Sequence, residues 1–438
     1  MEAVLQDAHI LFLGLLILLF SAIAMHCSNR IFNLNFISIP AVWYFAYTAI
    51  IFIPSFFIFY ERTGPYRYNY IYTLASALVT VPIGILLANV LLKYKTQEIQ
   101  QYHGLPIEDR PESFVRIMNY ASVLMIGLFF IFAWCVEQPG PVPLLYLLTH
   151  PQETQELTML REYSFKLLDS PIRYLYHTTR DFLFPLLIIV AFGNYYYSRS
   201  RYSGSRIWLF FFIASSIFGL FFAGANISKS PVFSIFILIV LTLFILKGAK
   251  LTWWQVVMGL LLSLSFPVFI LMTTLGGYSW TTFQEAFGKL MARIFIGPSF
   301  VLYFGFELVP ERFPFQGGRF MGALAPLFGK EPSDLREYAA WYIMGDDHST
   351  ASASGAFVTE LFGDFGFPGV ILGGILVGIV MQWIHVSIIR NPKTIFAVAT
   401  YAMFIYFFST LTYLQIAGAL ILSGAPALWL LYKTKFLG

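Results

Sequence analysis

Long apolar stretches separated by short polar breaks dominate this chain, with cores near residues 9–27, 37–59, 71–92, 116–136, 182–198, 207–224, 231–246, 253–275, 364–388, 394–412 and 416–432. A helix rises about 1.5 Å per residue, so roughly 20 apolar residues cross a hydrocarbon core of about 30 Å. The pattern predicts an all-α polytopic membrane protein of about 11 transmembrane helices, within a range of 11 to 13, built as a single integral membrane domain over residues 1–438. The first stretch follows the acidic segment MEAVLQD, not the basic one a cleavable leader carries, and is expected to remain as a helix.

Composition agrees: 58% of residues are hydrophobic and only 11% charged, against about 25% charged in a soluble domain. Cys27 and Cys135 lie within or at the edge of apolar runs, which argues against a disulfide framework and a zinc site. Charge placement then orients the chain. Arg30, Lys93, Lys95, Arg110, Arg116, Arg199, Arg201, Arg206, Lys247, Lys250, Arg390, Lys393, Lys433 and Lys435 all fall on one side of an alternating topology, joined there by four acidic residues. Basic residues favour the cytoplasmic side of short loops, so the N-terminus is expected outside and the C-terminus inside.

Two connections assigned to the outer face are long, 137–181 and 276–360, and loops of such length are usually functional or disordered. In SWTTFQEAFGKLMARIFIGP, residues 279–298, Thr282 and Glu285 fit a capping box, apolar residues recur at helical spacing from Trp280 to Ile294, and Gly297-Pro298 supplies a stop. An amphipathic helix at the membrane interface is predicted there, with Glu285, Lys289 and Arg293 on its polar face. PSDLREYAAWYIM, residues 332–344, predicts a second short helix.

Candidate chemistry gathers on the same face. Lys229, in the tight turn of GANISKSPVF, has small neighbours that leave room for an anion, and Pro231 opens a helix N-terminus. Arg293 stands alone among apolar residues, and a guanidinium grips phosphate with two parallel hydrogen bonds. Arg161 and Arg180 are the candidates in the first long loop, and Arg319, in QGGRF, has glycines beside it that permit close approach of a ligand. Glu360, in TELFGDFGFPG, and His348, in GDDHST, are the candidate bases. Plainer uses stand beside these: Lys229 snorkelling to head groups, Arg293 touching lipid, Glu360 favouring a helix dipole. Asp346-Asp347-His348 has metal-like composition, but nucleotide diphosphates that recruit divalent ions are cytoplasmic, whereas this segment is assigned outside. No P-loop, dinucleotide fingerprint or HExxH pattern occurs, and no cofactor, metal or nucleic-acid partner is expected.

The succession GANISKSPVFSIFILIV, then ARIFIGPS, then SGAFVTELFGDFGFPGVILGGILVG resembles the Wzy-type O-antigen and oligosaccharide repeat-unit polymerases, relatives of the O-antigen ligases of the bacterial inner membrane. That resemblance implies a metal-independent glycosyltransferase of GT-C type with two large periplasmic loops. It would polymerise undecaprenyl-diphosphate-linked repeat units of lipopolysaccharide or a similar surface polysaccharide, moving the glycan from one lipid carrier to the non-reducing end of another. By the same resemblance Arg161, Lys229 and Arg293 hold diphosphate, and the partners are the lipid-linked donor and acceptor, membrane lipids and a chain-length regulator. The chain departs from the family pattern in its eleven spans and in carrying Lys at 229 where many members have Arg. An O-antigen ligase and a lipid-linked oligosaccharide flippase are the alternatives. A flippase would more often show two similar halves and charges at span centres, neither of which is evident.

Overall fold

The computed structural model describes residues 7–33, 37–108, 113–137, 140–150, 156, 159–160, 175–199, 205–227, 229–248, 253–275, 277–335, 338–339, 342 and 355–434. Among them the regular structure is helical throughout, and seven helices are long and apolar enough to cross a membrane. They are α1 (Ala8–Asn29), α2 (Ile39–Glu61), α3 (Tyr66–Leu92), α5 (Phe114–Glu137), α7 (Leu175–Ser198), α8 (Ser205–Gly224) and α13 (Phe357–Ile389). Shorter or broken helices complete the order: α4 (Gln97–Gly104), α6 (Pro143–Thr149), α9 (Lys229–Leu246), α10 (Trp253–Thr274), α11 (Trp280–Phe295), α12 (Gly297–Leu308), α14 (Ile395–Thr410) and α15 (Ala425–Thr434). The pair α11 and α12, bent by 44°, makes an eighth span if counted as one. The predicted stretch 416–432 is interrupted at Gly424, and α14, at 16 residues, spans only about 24 Å.

The chain divides into two compact units. The first comprises Met1–Tyr102, Phe287–Asn391 and Phe407–Ile421. Its centre is the pairing of α3 with α13. A Cβ on Gly84 would strike the Ile375 carbonyl, and one on Gly378 would strike the Val81 carbonyl, so the two backbones touch. Small residues permit that approach, and dispersion between close backbones takes the place of the hydrophobic drive that lipid removes. Deeper polar glue comes from Gln382, whose amide donates to Asn89 at 2.6 Å. At the Leu92 end of α3, Arg390 grips both carboxylate oxygens of Glu98, at 2.7 and 3.1 Å. That hydrogen bonding holds the Glu98 carboxyl below its ordinary pKa.

Prolines break the spans in a way that shapes this unit. Pro54 has no N–H, so the Ile50 carbonyl four residues earlier loses its helical donor, and α2 loosens into a π-helical turn over Thr48–Phe52. The hydroxyl of Ser299 sits 3.1 and 2.9 Å from the carbonyls of Ile50 and Ile51, and the Tyr70 hydroxyl donates to the Ser299 carbonyl at 2.9 Å. Helix α12 therefore begins level with the middle of α2 and runs alongside its second half. Within the long connection 276–360, residues 297–308 form a half-length helix packed among α2, α3 and α13.

The second unit comprises His103–Ala286, Pro392–Tyr406 and Leu422–Gly438. Here α7 packs chiefly on α8 and α9, with Gly219 giving way to Ile188 and Phe184. Tyr120 donates to the Leu187 carbonyl at 3.0 Å. The connection before α14 is fixed by Lys393, 1% exposed, whose ammonium donates to the carbonyls of His103 at 2.9 Å and Leu105 at 3.4 Å. Burial pulls that amine down to about 8.

Helix α11 is amphipathic as expected, with Lys289 and Arg293 exposed and Ala286 and Leu290 buried. Its cap differs from the predicted one: the Ser279 hydroxyl accepts from the Thr282 N–H at 3.1 Å, so the cap lies three residues before Thr282 and the helix starts at Trp280. Within 332–344, residues 336–337, 340–341 and 343–344 lie outside the described residues.

Candidate functional site at a proline-broken helix

The segment TELFGDFGFPG builds a buried polar arrangement in the first unit. Pro368 deprives the Asp364 carbonyl of its helical donor, and Gly366 adopts φ 65°, ψ −157°, a backbone conformation that only glycine takes without strain. Helix α13 kinks there. The freed carbonyls are met by a loop: Gln316 N–H donates to Gly363 at 3.1 Å, and Gly317 N–H to Asp364 at 3.0 Å. The Asp364 carboxyl, 1% exposed, accepts from the Phe320 N–H at 3.0 Å. The N–H groups of Gly318, Arg319 and Met321 converge on it as well. Asp364 thus organises a backbone turn through one carboxyl oxygen, while its buried Oδ2 has no hydrogen-bond partner.

Glu360 stands one turn earlier and is 2% exposed. Its carboxylate accepts from the Ile416 N–H at 2.9 Å, while Gly355 and Phe357 donate to the carbonyls of Tyr413 and Leu411 at 3.2 and 3.3 Å. Gln415 donates to Asp334 at 2.9 Å, and Ser333 N–H to the Arg319 carbonyl at 3.0 Å. The cavity against Glu360, lined also by Gly305, Thr359, Gly355 and Gln415, has a volume of about 20 Å³. That holds a water and excludes a sugar. For Glu360 to reach an acceptor hydroxyl, residues 411–417 must move.

An open pocket of about 290 Å³ adjoins the same loop, lined by Gln316, Arg319, Gly329, Lys330 and Glu331. Two glycines in the left-handed region, Gly318 at φ 101° and Gly329 at φ 66°, bracket the tight 3-10 segment Arg319–Phe328. They fold the chain so that Arg319 and Lys330, 11 positions apart, share one mouth. The buried Nε of Arg319 has no hydrogen-bond partner, and neither cation meets a carboxylate within ion-pair distance among the described residues. A fork of guanidinium donors beside an ammonium suits a phosphate or diphosphate oxygen cluster.

The other predicted residues are placed differently. Arg293 is exposed on the last turn of α11 and lines neither of these two cavities. Arg180 belongs to the second unit and is 8% exposed; its guanidinium makes two bonds to Asp181, at 2.7 and 2.8 Å, and lies 5.0 Å from the Tyr176 ring centroid. It is already engaged by a carboxylate, which a diphosphate would have to displace. Lys229 is the first residue of α9 in that unit, its side chain outside the described set, and Arg161 and His348 lie outside the described residues altogether. Of the seven candidates, Arg319 and Glu360 lie on segments tied to the same kinked stretch of the first unit, but they line separate cavities.

Sequence reading missed Lys330, Gln316 and Gln415. The glycine pair around Arg319 was visible in QGGRF, and a matching Gly-Lys in PLFGKEP would have pointed to Lys330. Among the described residues no three His, Cys, Asp or Glu side chains gather as a metal site. Comparison of the chain with protein-family models, with curated proteins and with solved structures finds no match.

Proposed function

We propose that the protein is a glycosyltransferase that polymerises oligosaccharide repeat units carried on undecaprenyl diphosphate, at the periplasmic face of the bacterial inner membrane, with its N-terminus outside and its C-terminus in the cytoplasm. The observation that carries this reading is the open Arg319–Lys330 pocket built onto the kink of TELFGDFG. A lipid diphosphate is an activated leaving group, so the enzyme chiefly has to stabilise charge developing on the departing phosphate and remove a proton from the acceptor hydroxyl. Arg319 and Lys330 serve the first task. Glu360 serves the second once residues 411–417 open, with His348 as the alternative base. The reaction needs no metal and no cofactor, and a chain-length regulator would set the product size. A ligase uses the same donor chemistry and differs in its acceptor.

The test incubates purified protein with undecaprenyl-diphosphate repeat units, with and without EDTA. A ladder of products that survives chelation and is lost in Arg319→Ala supports the assignment, and full extension by that variant overturns the role of the pocket. A flippase reading is favoured by one feature, the half-length helix α12 that starts at mid-span, since carriers often place binding sites at such breaks. Movement of the lipid-linked glycan across the bilayer without any bond formed would select it.

A further inference from the structure

Helix α12 carries a second cationic surface that the transfer reaction does not use. The turn between α2 and α3 begins with Arg62, immediately after the end of the α2 span at Glu61. Its guanidinium carbon lies 5.0, 5.8 and 5.2 Å from the ring centroids of Phe300, Tyr303 and Phe304. Phe304 continues edge-on into Tyr342 at 5.9 Å, and Arg312 lies over Tyr342 at 4.5 Å. Two guanidinium groups therefore rest on one aromatic strip.

Among the described residues no carboxylate forms an ion pair with either of them. Asp7 is taken by Arg67 at 2.9 Å. Glu307 accepts from the Tyr342 hydroxyl at 3.2 Å, and Glu61 and Glu311 are exposed without an ion pair to either arginine. The buried Nε of Arg62 has no hydrogen-bond partner. Stacking on aromatic faces fixes a guanidinium without occupying its in-plane donors; Arg312 gives one Nη2 donor to the Tyr342 hydroxyl at 3.5 Å, and the remaining donors stay available to an anion. Their position at the end of a span puts that anion where lipid head groups lie.

We propose that Arg62 and Arg312, presented on the Phe300–Phe304–Tyr342 strip, bind the phosphate of a lipid head group at the membrane boundary. The phosphate belongs either to a bulk anionic phospholipid or to a polyprenyl diphosphate. Binding is read without turnover, so its outcome is separate from that of the polymerase assignment.

The experiment places full-length protein in phosphatidylcholine nanodiscs and measures binding of two probes, phosphatidylglycerol and farnesyl diphosphate, by native mass spectrometry. Arg62→Ala should weaken the bound probe about tenfold or more, and Arg312→Ala by a smaller factor. Arg62→Lys should fall between, because it keeps charge but loses the flat stacking face. Equal retention of both probes assigns the site to bulk lipid, and preference for farnesyl diphosphate assigns it to a carrier lipid. Unchanged binding of both probes by Arg62→Ala and Arg312→Ala, each with a wild-type unfolding midpoint, overturns the proposal. Where Arg62→Ala does not fold, Arg62→Lys and Arg312→Ala decide it by the same criterion.

Discussion

Arg180 in the second unit and Arg319 in the first both stand beside a helix broken ahead of a proline, yet their side chains are in opposite circumstances. Arg180 lies ahead of Pro185 in the π-helical turn Thr179–Leu183, is nearly enclosed, and is bonded twice to its neighbour Asp181. Arg319 opens a 3-10 segment at the mouth of a pocket that Lys330 and Glu331 also line, with no ion pair to a carboxylate among the described residues. A buried guanidinium whose charge is matched serves the fold, because removing its partner leaves an uncompensated charge. A cation held in place by backbone geometry and left unmatched is available to a ligand. The sequence assigned both arginines to outer connections; their neighbours separate them.

Four measurements test the contrast, in descending order of expected effect. Asp181→Ala should destabilise the folded protein by about 3 kcal/mol, the lower end for a broken buried pair, since the Asp181 side chain is 31% exposed. A drop in the unfolding midpoint in detergent reads this, and an unchanged midpoint would show the pair to be dispensable. Arg319→Ala should leave the midpoint within about 0.5 kcal/mol of wild type while lowering chain extension about 100-fold. Gly366→Ala should cost about 1–3 kcal/mol, because φ 65°, ψ −157° is strained for any residue with a Cβ. It should also loosen the Gln316 and Gly317 hydrogen bonds, read as faster amide exchange at those two residues.

The smallest effect concerns a third kind of cation. Lys393 is buried against the carbonyls of His103 and Leu105, and burial brings its amine to about 8, below the ordinary value of about 10.4. Between those two values the unfolded chain binds the proton that the folded chain has released, so stability rises as pH climbs from about 8 to 10.4. Unfolding midpoints measured across that window should rise for the wild type and lose this rise in Lys393→Met. A flat wild-type profile would mean that the amine stays charged in place.

Legibility of the site in the sequence was uneven. TELFGDFGFPG announced a special helix, since Pro368 and Gly366 follow closely on two acids in an apolar run. The division of labour between those acids was not legible. Asp364 is taken up by backbone N–H groups some 44 positions earlier, and Glu360 by one 56 positions later. The pairing of Arg180 with the next residue was visible, but not that the pair would be enclosed by Tyr176 and its neighbours. Arg62 was passed over because its value lies in rings on α12, more than 230 positions away.

What the chain determined alone is its helical, membrane-embedded character. Transfer of apolar surface out of water is local and additive along a run of residues, and a backbone in lipid has to satisfy its own hydrogen bonds, so composition and run length suffice. Tertiary structure decided that α12 enters among the spans and which charges are left unmatched. Both depend on single donors and acceptors meeting across long separations in sequence, where a shift of one ångström changes the partner.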